Sequence, residues 1–263
     1  SGAVPVLGDL DDRASLARIA GLADAVLHFA PPSSTPPLPR GGREWTGSLR
    51  REQAFSDTRT RNLLGVLSQA TLPKRLVYIS TSGVYGDCGG AWVGETRPLN
   101  AASPRSLRRV DAERQVRRWA KRNRVNASIL RVPGIYAADR LPLSRLQQGT
   151  PGIIAGEDSY TNHIHADDLA RIGVAALRHG KPCRVYHASD DSHLKMGEYF
   201  DLVADAYHLP RVPRISRAEA QRVLPEMLLS FMNESRRLTN QRMKRELKVK
   251  LRYPTVADML AAL

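Results

Sequence analysis

The sequence is poor in cysteine and in aromatic residues, and it lacks any long apolar run. Two cysteines, Cys88 and Cys183, in 263 residues cannot set up a disulfide framework, so a reducing, cytoplasmic compartment is expected. No stretch approaches the roughly 18 apolar residues that a bilayer span needs, and no membrane partner is expected. The opening "SGAVPVLGDLDD" has neither the basic region nor the apolar core of a secretory signal. What is present is ordinary for a globular chain: 42% hydrophobic and 25% charged residues, enough to bury one large domain or a domain with a lobe.

Acidic residues are also scarce relative to basic ones, giving a net charge of +14. The excess is carried mostly by Arg and is spread from Arg13 to Arg252. A nucleic-acid binder gathers its charge in a patch or stripe. The densest basic segment, Pro104 to Asn123, carries Arg105, Arg108, Arg109, Arg114, Arg117, Arg118, Lys121 and Arg122. Asp111 and Glu113 interrupt it, and Trp119 is its one aromatic residue, so it reads as a solvated helix face. Nucleic acid is therefore not an expected partner, while phosphate-bearing small molecules are favoured.

Along the chain, strand-like and helix-like segments alternate. "VPVLGDL" predicts a strand, "SLARIAGLADA" a helix and "AVLHFA" a buried strand. "DTRTRNLLGVLSQAT" predicts a helix capped by Asp57, followed by the strand "RLVYIST". A long helix from Pro104 to Asn123 precedes the strand "ASILRVPGIY"; "NHIHADD" leads into the helix "LARIGVAALRHG", and "CRVYHAS" is a further strand. This alternation implies an α/β fold with a mainly parallel sheet covered on both faces. "PPSSTPPLPRGGREWTG" is expected to be a loop, and after about Ser192 the pattern becomes mostly helical, as in a small C-terminal lobe.

"GDLDD", "LVYISTSGVYGD", "LRVPGIY" and "HIHADDLA", in that order, resemble the extended short-chain dehydrogenase/reductases, in particular the NAD-dependent epimerase/dehydratase branch. The tail "ESRRLTNQRMKRELKVKLRYPT" resembles the closing segment of sugar-nucleotide epimerase relatives. The resemblance implies a Rossmann-type doubly wound parallel sheet over residues 1–191, with 137–160 contributing to a substrate lobe completed by a mostly helical 192–263. It also implies an NAD or NADP cofactor, a small substrate of the sugar-nucleotide type, and a homodimer.

Residue by residue, the resemblance places Asp9 and Leu10 at the adenine end of the cofactor. Ala30 and Pro31 line the loop beside pyrophosphate and ribose, Thr81 is the hydroxyl-bearing catalytic residue, and Pro133, Gly134 and Ile135 flank the nicotinamide. Two departures qualify it. None of the eight tyrosines is followed four positions later by Lys; Arg105 stands at the family's Tyr position and Arg109 at its Lys position. An arginine side chain is effectively never deprotonated, so Arg105 cannot replace the proton-carrying Tyr. It is expected to hold substrate or another anion, and Arg109 to hold a ribose hydroxyl or phosphate. The second departure is that the Gly-rich pyrophosphate turn does not occur before "GDLDD". A strand, Gly-rich turn and helix are expected to precede Ser1 in a longer parent chain; the alternative is a rearranged sheet, with weak dinucleotide binding. Standard Tyr/Lys catalysis is not expected. The functional expectation is an epimerase/dehydratase-like or reductase-like protein with non-standard or lost catalytic residues, with a non-catalytic nucleotide-binding or regulatory protein as the alternative.

Other constellations carry less. Tyr85 is a second candidate catalytic residue, able to supply a phenol, although packing is its commoner use. Cys88 has no activating neighbour beyond general basicity. His163 and His165 share a strand face ahead of Asp167 and Asp168, but a helix-capping Asp and flanking histidines explain the pattern better than a metal site, and no metal is assigned. Asp190-Asp191 reads as a turn.

Overall fold

A computed structural model describes residues 2–32 and 55–263. The Pro-rich loop expected at 31–47 lies, beyond Pro32, outside the described residues. The strands are β1 (Ala25–His28), β2 (Arg75–Thr81), β3 (Trp92–Val93), β4 (Asn126–Val132), β5 (Gly134–Tyr136), β6 (Gly152–Ile153), β7 (His163–His165), β8 (Val185–His187), β9 (Arg214–Ile215) and β10 (Arg237–Leu238). The α-helices are α1 (Thr58–Leu67), α2 (Pro104–Asn123), α3 (Leu143–Gln147), α4 (Ala166–His179), α5 (Met196–Ala206), α6 (Arg217–Val223), α7 (Glu226–Met232), α8 (Gln241–Leu247) and α9 (Val256–Leu260).

The main sheet has the order β1-β2-β4-β8, and β1 and β2 pair in parallel with Ala25 opposite Arg75. Helices α1 and α2 connect its successive strands, the α/β pattern expected from the alternation. The local signals act as read. Asp57 accepts from the amides of Arg59 and Thr60 to cap α1. Ser103 caps α2 through the amide of Ser106, with Pro104 in the first turn. Arg124 closes α2 in the left-handed conformation at φ 55°.

Packing divides the described chain into two compact units. The first comprises Ser1–Val84, Ala101–Leu130 and Ala176–Val185, and the second Tyr85–Asn100, Arg131–Ala175 and Tyr186–Leu263. In the first unit, Leu63, Leu64 and Leu67 of α1 and Ala112, Val116 and Trp119 of α2 bury against Leu76, Tyr78, Ala127 and Ile129 of the sheet. In the second, Tyr199, Phe200 and Val203 of α5 pack with Tyr136, Leu146, Val256 and Met259.

Several sequence expectations change. "VPVLGDL" is not a strand: Val4 is 85% and Leu7 91% exposed, and β2 is the one strand beside β1 among the described residues. Apolar β-branched residues alone do not make a strand without a ladder to join. The expected helix after it is reduced to a 3-10 turn, Ala14–Ile19, which ends at Gly21 with φ +71°. β1 is half open where full burial was expected, with Leu27 42% exposed at the sheet edge. The basic face of α2 is only partly solvated, because Arg108 and Arg109 are both buried.

Candidate functional site

The site residues of the first unit gather at the carboxyl end of β1 and β2. Arg109, in the second turn of α2, sends one terminal nitrogen, Nη1, to the carbonyl of Ile79 at 2.7 Å, the hydroxyl of Tyr78 at 3.0 Å and the carbonyl of Ala30 at 3.4 Å. It thus ties the ends of the two strands, and its Nε is buried without a partner. The guanidinium also lies 5.6 Å from the centroid of the Tyr78 ring. Burial pushes the Tyr78 phenol well above its ordinary pKa, so it stays neutral. Beside it, His28 shares a 2.9 Å hydrogen bond with Thr60 Oγ1, whose hydroxyl donates to Asp57 at 2.8 Å. Burial, reinforced by the charge of Arg109, holds His28 down to a pKa of about 4.

Asp9 and Leu10 belong to the same end. The amide of Asp9 donates to Ser15 Oγ at 2.8 Å, and the Leu10 carbonyl accepts from Asn62 of α1 at 2.8 Å. Arg59 grips Asp11 through a 2.6 Å contact and donates to the Pro31 carbonyl at 3.2 Å. Asp9, Leu10, Ala30, Pro31 and Arg109 are therefore held on one framework. Thr81 ends β2 half-buried, and its oxygen accepts from the amide of Gly83 at 3.2 Å. Gly83 permits the approach of α2, since a Cβ there would meet Ser106 Oγ at 2.8 Å. Arg105 is exposed, so Arg105 and Arg109 diverge in environment although they sit one turn apart.

In the second unit the residues expected at the nicotinamide lie on β5, which pairs in parallel with β7, Gly134 opposite His163. Gly134 and Ile135 are exposed, while Tyr136 points inward. Tyr85 is 1% exposed, and its hydroxyl lies 2.6 Å from His187 Nε2 and 2.6 Å from Arg131 Nη1. The Nδ1 of His187 donates to the Thr239 carbonyl at 2.8 Å, which leaves Nε2 to accept the phenol proton. Burial lowers His187 to about 3, so this tautomer is retained. The Tyr85 hydroxyl is engaged on both sides.

His163 and His165 do share a face, each with its ring edge-on to Tyr136, at 6.1 and 5.4 Å. Neither aspartate after them caps α4. His165 Nδ1 accepts the amide of Asp167 at 3.2 Å, while Asp168, fully buried, accepts the amides of Arg252 and Tyr253 at 2.8 Å each. Among the described residues, no group of three or more His, Cys, Asp or Glu side chains is arranged to hold a metal. Asp190 makes the turn expected of it, accepting the amide of Ser192 at 2.9 Å, and Asp191 pairs with Lys244 at 2.6 Å.

Sequence reasoning missed the surroundings of Asp190. Its carboxyl interacts with the buried Tyr136 hydroxyl, while His163 Nδ1 and Ser189 Oγ are buried without a hydrogen-bond partner. The amide of Asp190 donates to the His163 carbonyl at 2.8 Å, which brings these groups together. Burial raises the Asp190 carboxyl to about 7 and lowers His163 to about 3. The sequence signal was faint: a paired acid directly after a strand.

A family profile described as the NAD dependent epimerase/dehydratase family matches residues 4–188. The chain belongs to this family. Among its relatives, the dTDP-glucose 4,6-dehydratase of Mycobacterium tuberculosis is 26% identical over 201 residues, covering 71% of this chain and 57% of that protein. The chain thus spans little more than half the length of that relative. A solved structure of a functionally unknown conserved protein from Silicibacter pomeroyi is 32% identical, with a TM-score of 0.66 over 77% of this chain and 68% of that one. The UDP-glucuronic acid 4-epimerase of Bacillus cereus, solved with UDP-glucuronic acid and NAD, is 18% identical with a TM-score of 0.71, covering 97% of this chain and 78% of that one. These likenesses fix the fold as the Rossmann-type doubly wound architecture of this family.

Proposed function

We propose that the protein binds NAD or NADP and a sugar-nucleotide-type substrate on the family scaffold without the family's Tyr/Lys proton transfer. The observation that carries this reading is the use of Arg109. Its Nη1 is spent on two strand-end carbonyls and a phenol, at the position that the resemblance assigns to the family's lysine.

The first unit offers contacts for the adenine half of a dinucleotide, and each unit is taken by itself. On the first unit, Asp9 and Leu10 would hold its adenine end, and Ala30 and Pro31 its ribose and pyrophosphate. Thr81 offers an O–H that donates to no described residue, and Arg109 lends positive potential. On the second unit, Pro133, Gly134 and Ile135 would face the nicotinamide, with residues 192–263 and 137–160 as the substrate lobe. The bound dinucleotide would supply a hydride acceptor or donor. Arg105, exposed and cationic, would attract a substrate phosphate or carboxylate.

A second reading is a nucleotide-binding regulatory protein that performs no chemistry. It is favoured by Tyr85, whose phenol is buried and already bonded to His187 and Arg131. Calorimetric titration of the natural full-length protein with NAD, NADH, NADP and NADPH tests the shared premise. Absence of binding by all four would overturn both readings. Following dinucleotide absorbance with UDP- and dTDP-sugars separates them, since the first requires turnover and the second requires none.

A further inference from the structure

The second unit carries an open depression of about 340 Å³ that the cofactor reading does not use, lined by the buried Tyr85 and the exposed Asp87, Arg97, Pro98 and Asn100. The volume lies at the small end of ligand sites, the size of one sugar ring rather than a dinucleotide. Its frame is fixed at several points. Gly86 has φ +63°, and a Cβ there would meet the Asn100 carbonyl at 2.2 Å, so the two ends of the loop are closed on each other. Arg236 donates to the Gly86 carbonyl at 2.7 Å, and the amides of Cys88 and Gly90 both donate to the Ser235 carbonyl at 3.0 Å.

The polar groups at the depression are unequally engaged. Asp87 Oδ1 accepts the amides of Gly89 and Ser235 at 3.1 and 2.8 Å, and its backbone donors hold the carboxyl below its ordinary pKa. It is ionised and keeps Oδ2 as an acceptor. Arg97 is exposed, and its guanidinium makes no hydrogen bond or ion pair with any described residue; the same holds for the Asn100 amide. A second guanidinium, that of Arg131, lies behind the Tyr85 ring at 4.8 Å from its centroid. The depression thus offers an unmatched cation, an amide with both donor and acceptor, a carboxylate acceptor, and an apolar wall of Pro98 and Tyr85. A simple anion would leave Asp87 facing it unfavourably. A ligand with vicinal hydroxyls and one acidic group uses all of these groups at once.

We propose that this depression binds a small acidic sugar, its acidic group on Arg97 and its hydroxyls on Asn100 and Asp87. The reading does not rest on dinucleotide binding. The test is amide-resolved NMR titration of the protein with glucuronate, glucose and inorganic phosphate, repeated on Arg97→Ala and Asn100→Ala. Glucuronate is expected to shift resonances of residues 85–100 and to bind more tightly than glucose. Arg97→Ala should weaken glucuronate about tenfold or more and bring it level with glucose, while Asn100→Ala should weaken both. Dinucleotide titration of the same variants should be unchanged, so failure here is separable from failure of the cofactor reading. Shifts lying elsewhere, equal glucuronate affinity in wild type and Arg97→Ala, or binding of phosphate alone would each overturn the proposal.

Discussion

Arg109 donates to the carbonyl of Ile79 at 2.7 Å, from the second turn of α2. The same nitrogen serves Tyr78 and Ala30, so the side chain acts as a bracket across two strand ends. Arg109→Ala should leave the Ile79 carbonyl and Tyr78 hydroxyl buried and unpaired, costing about 2–4 kcal/mol in urea melts. Arg109→Lys should recover part of this. A loss of ligand affinity with unchanged stability would instead mark Arg109 as a ligand contact only.

The buried ionisable groups set the acid limit. His28, His163 and His187 have folded pKa values of about 4, 3 and 3, below the ordinary 6.5, so their contribution is present above pH 6.5 and is lost as pH falls towards 3. Asp190 works oppositely: its folded value of about 7 lies above 3.8, so its contribution is full below pH 4 and lost as pH rises through 7. Between pH 4 and 6.5 the unfolded chain binds a net excess of two protons from these groups, and stability should rise with pH there by up to about 2.7 kcal/mol per unit. Denaturant midpoints measured across this window check the sign.

Asp190→Asn isolates the opposing member. Because the amide carries no charge to bury, the variant should gain stability relative to wild type at pH 8 and lose that advantage at pH 4. A pH-independent difference would show that Asp190 does not titrate differently in the folded protein.

Asp168→Ala removes the acceptor for the amides of Arg252 and Tyr253. The expected cost is about 2–4 kcal/mol, together with faster hydrogen exchange at these two amides. Unchanged exchange there would show that the segment is held by its side chains alone.

Much of the scaffold was legible because its signals are local. The span of α2 follows from Ser103, Pro104 and the periodic Val110, Ala112 and Val116; the cap of α1 follows from Asp57; and β2 follows from a β-branched run. The misreadings all depend on distant partners. Val4–Leu7 has strand composition but no ladder to join, and Arg109 looks like a solvated charge until the ends of β1 and β2 arrive beside it. Asp168 caps nothing nearby because a backbone segment 84 residues further on claims it. The cluster around Asp190 assembles from β5, β7 and the turn after β8, a juxtaposition that spacing along the chain does not encode.

The bracket formed by Arg109 rests on a single atom. All three acceptors, Ile79, Tyr78 and Ala30, are served by one terminal nitrogen, Nη1, so an ammonium at 109 that reached the same point could serve them too. Arg105→Tyr with Arg109→Lys is therefore expected to keep much of the strand-end pairing and to leave the chain folded. What ties the strand ends is the place of one nitrogen rather than the shape of the group that carries it.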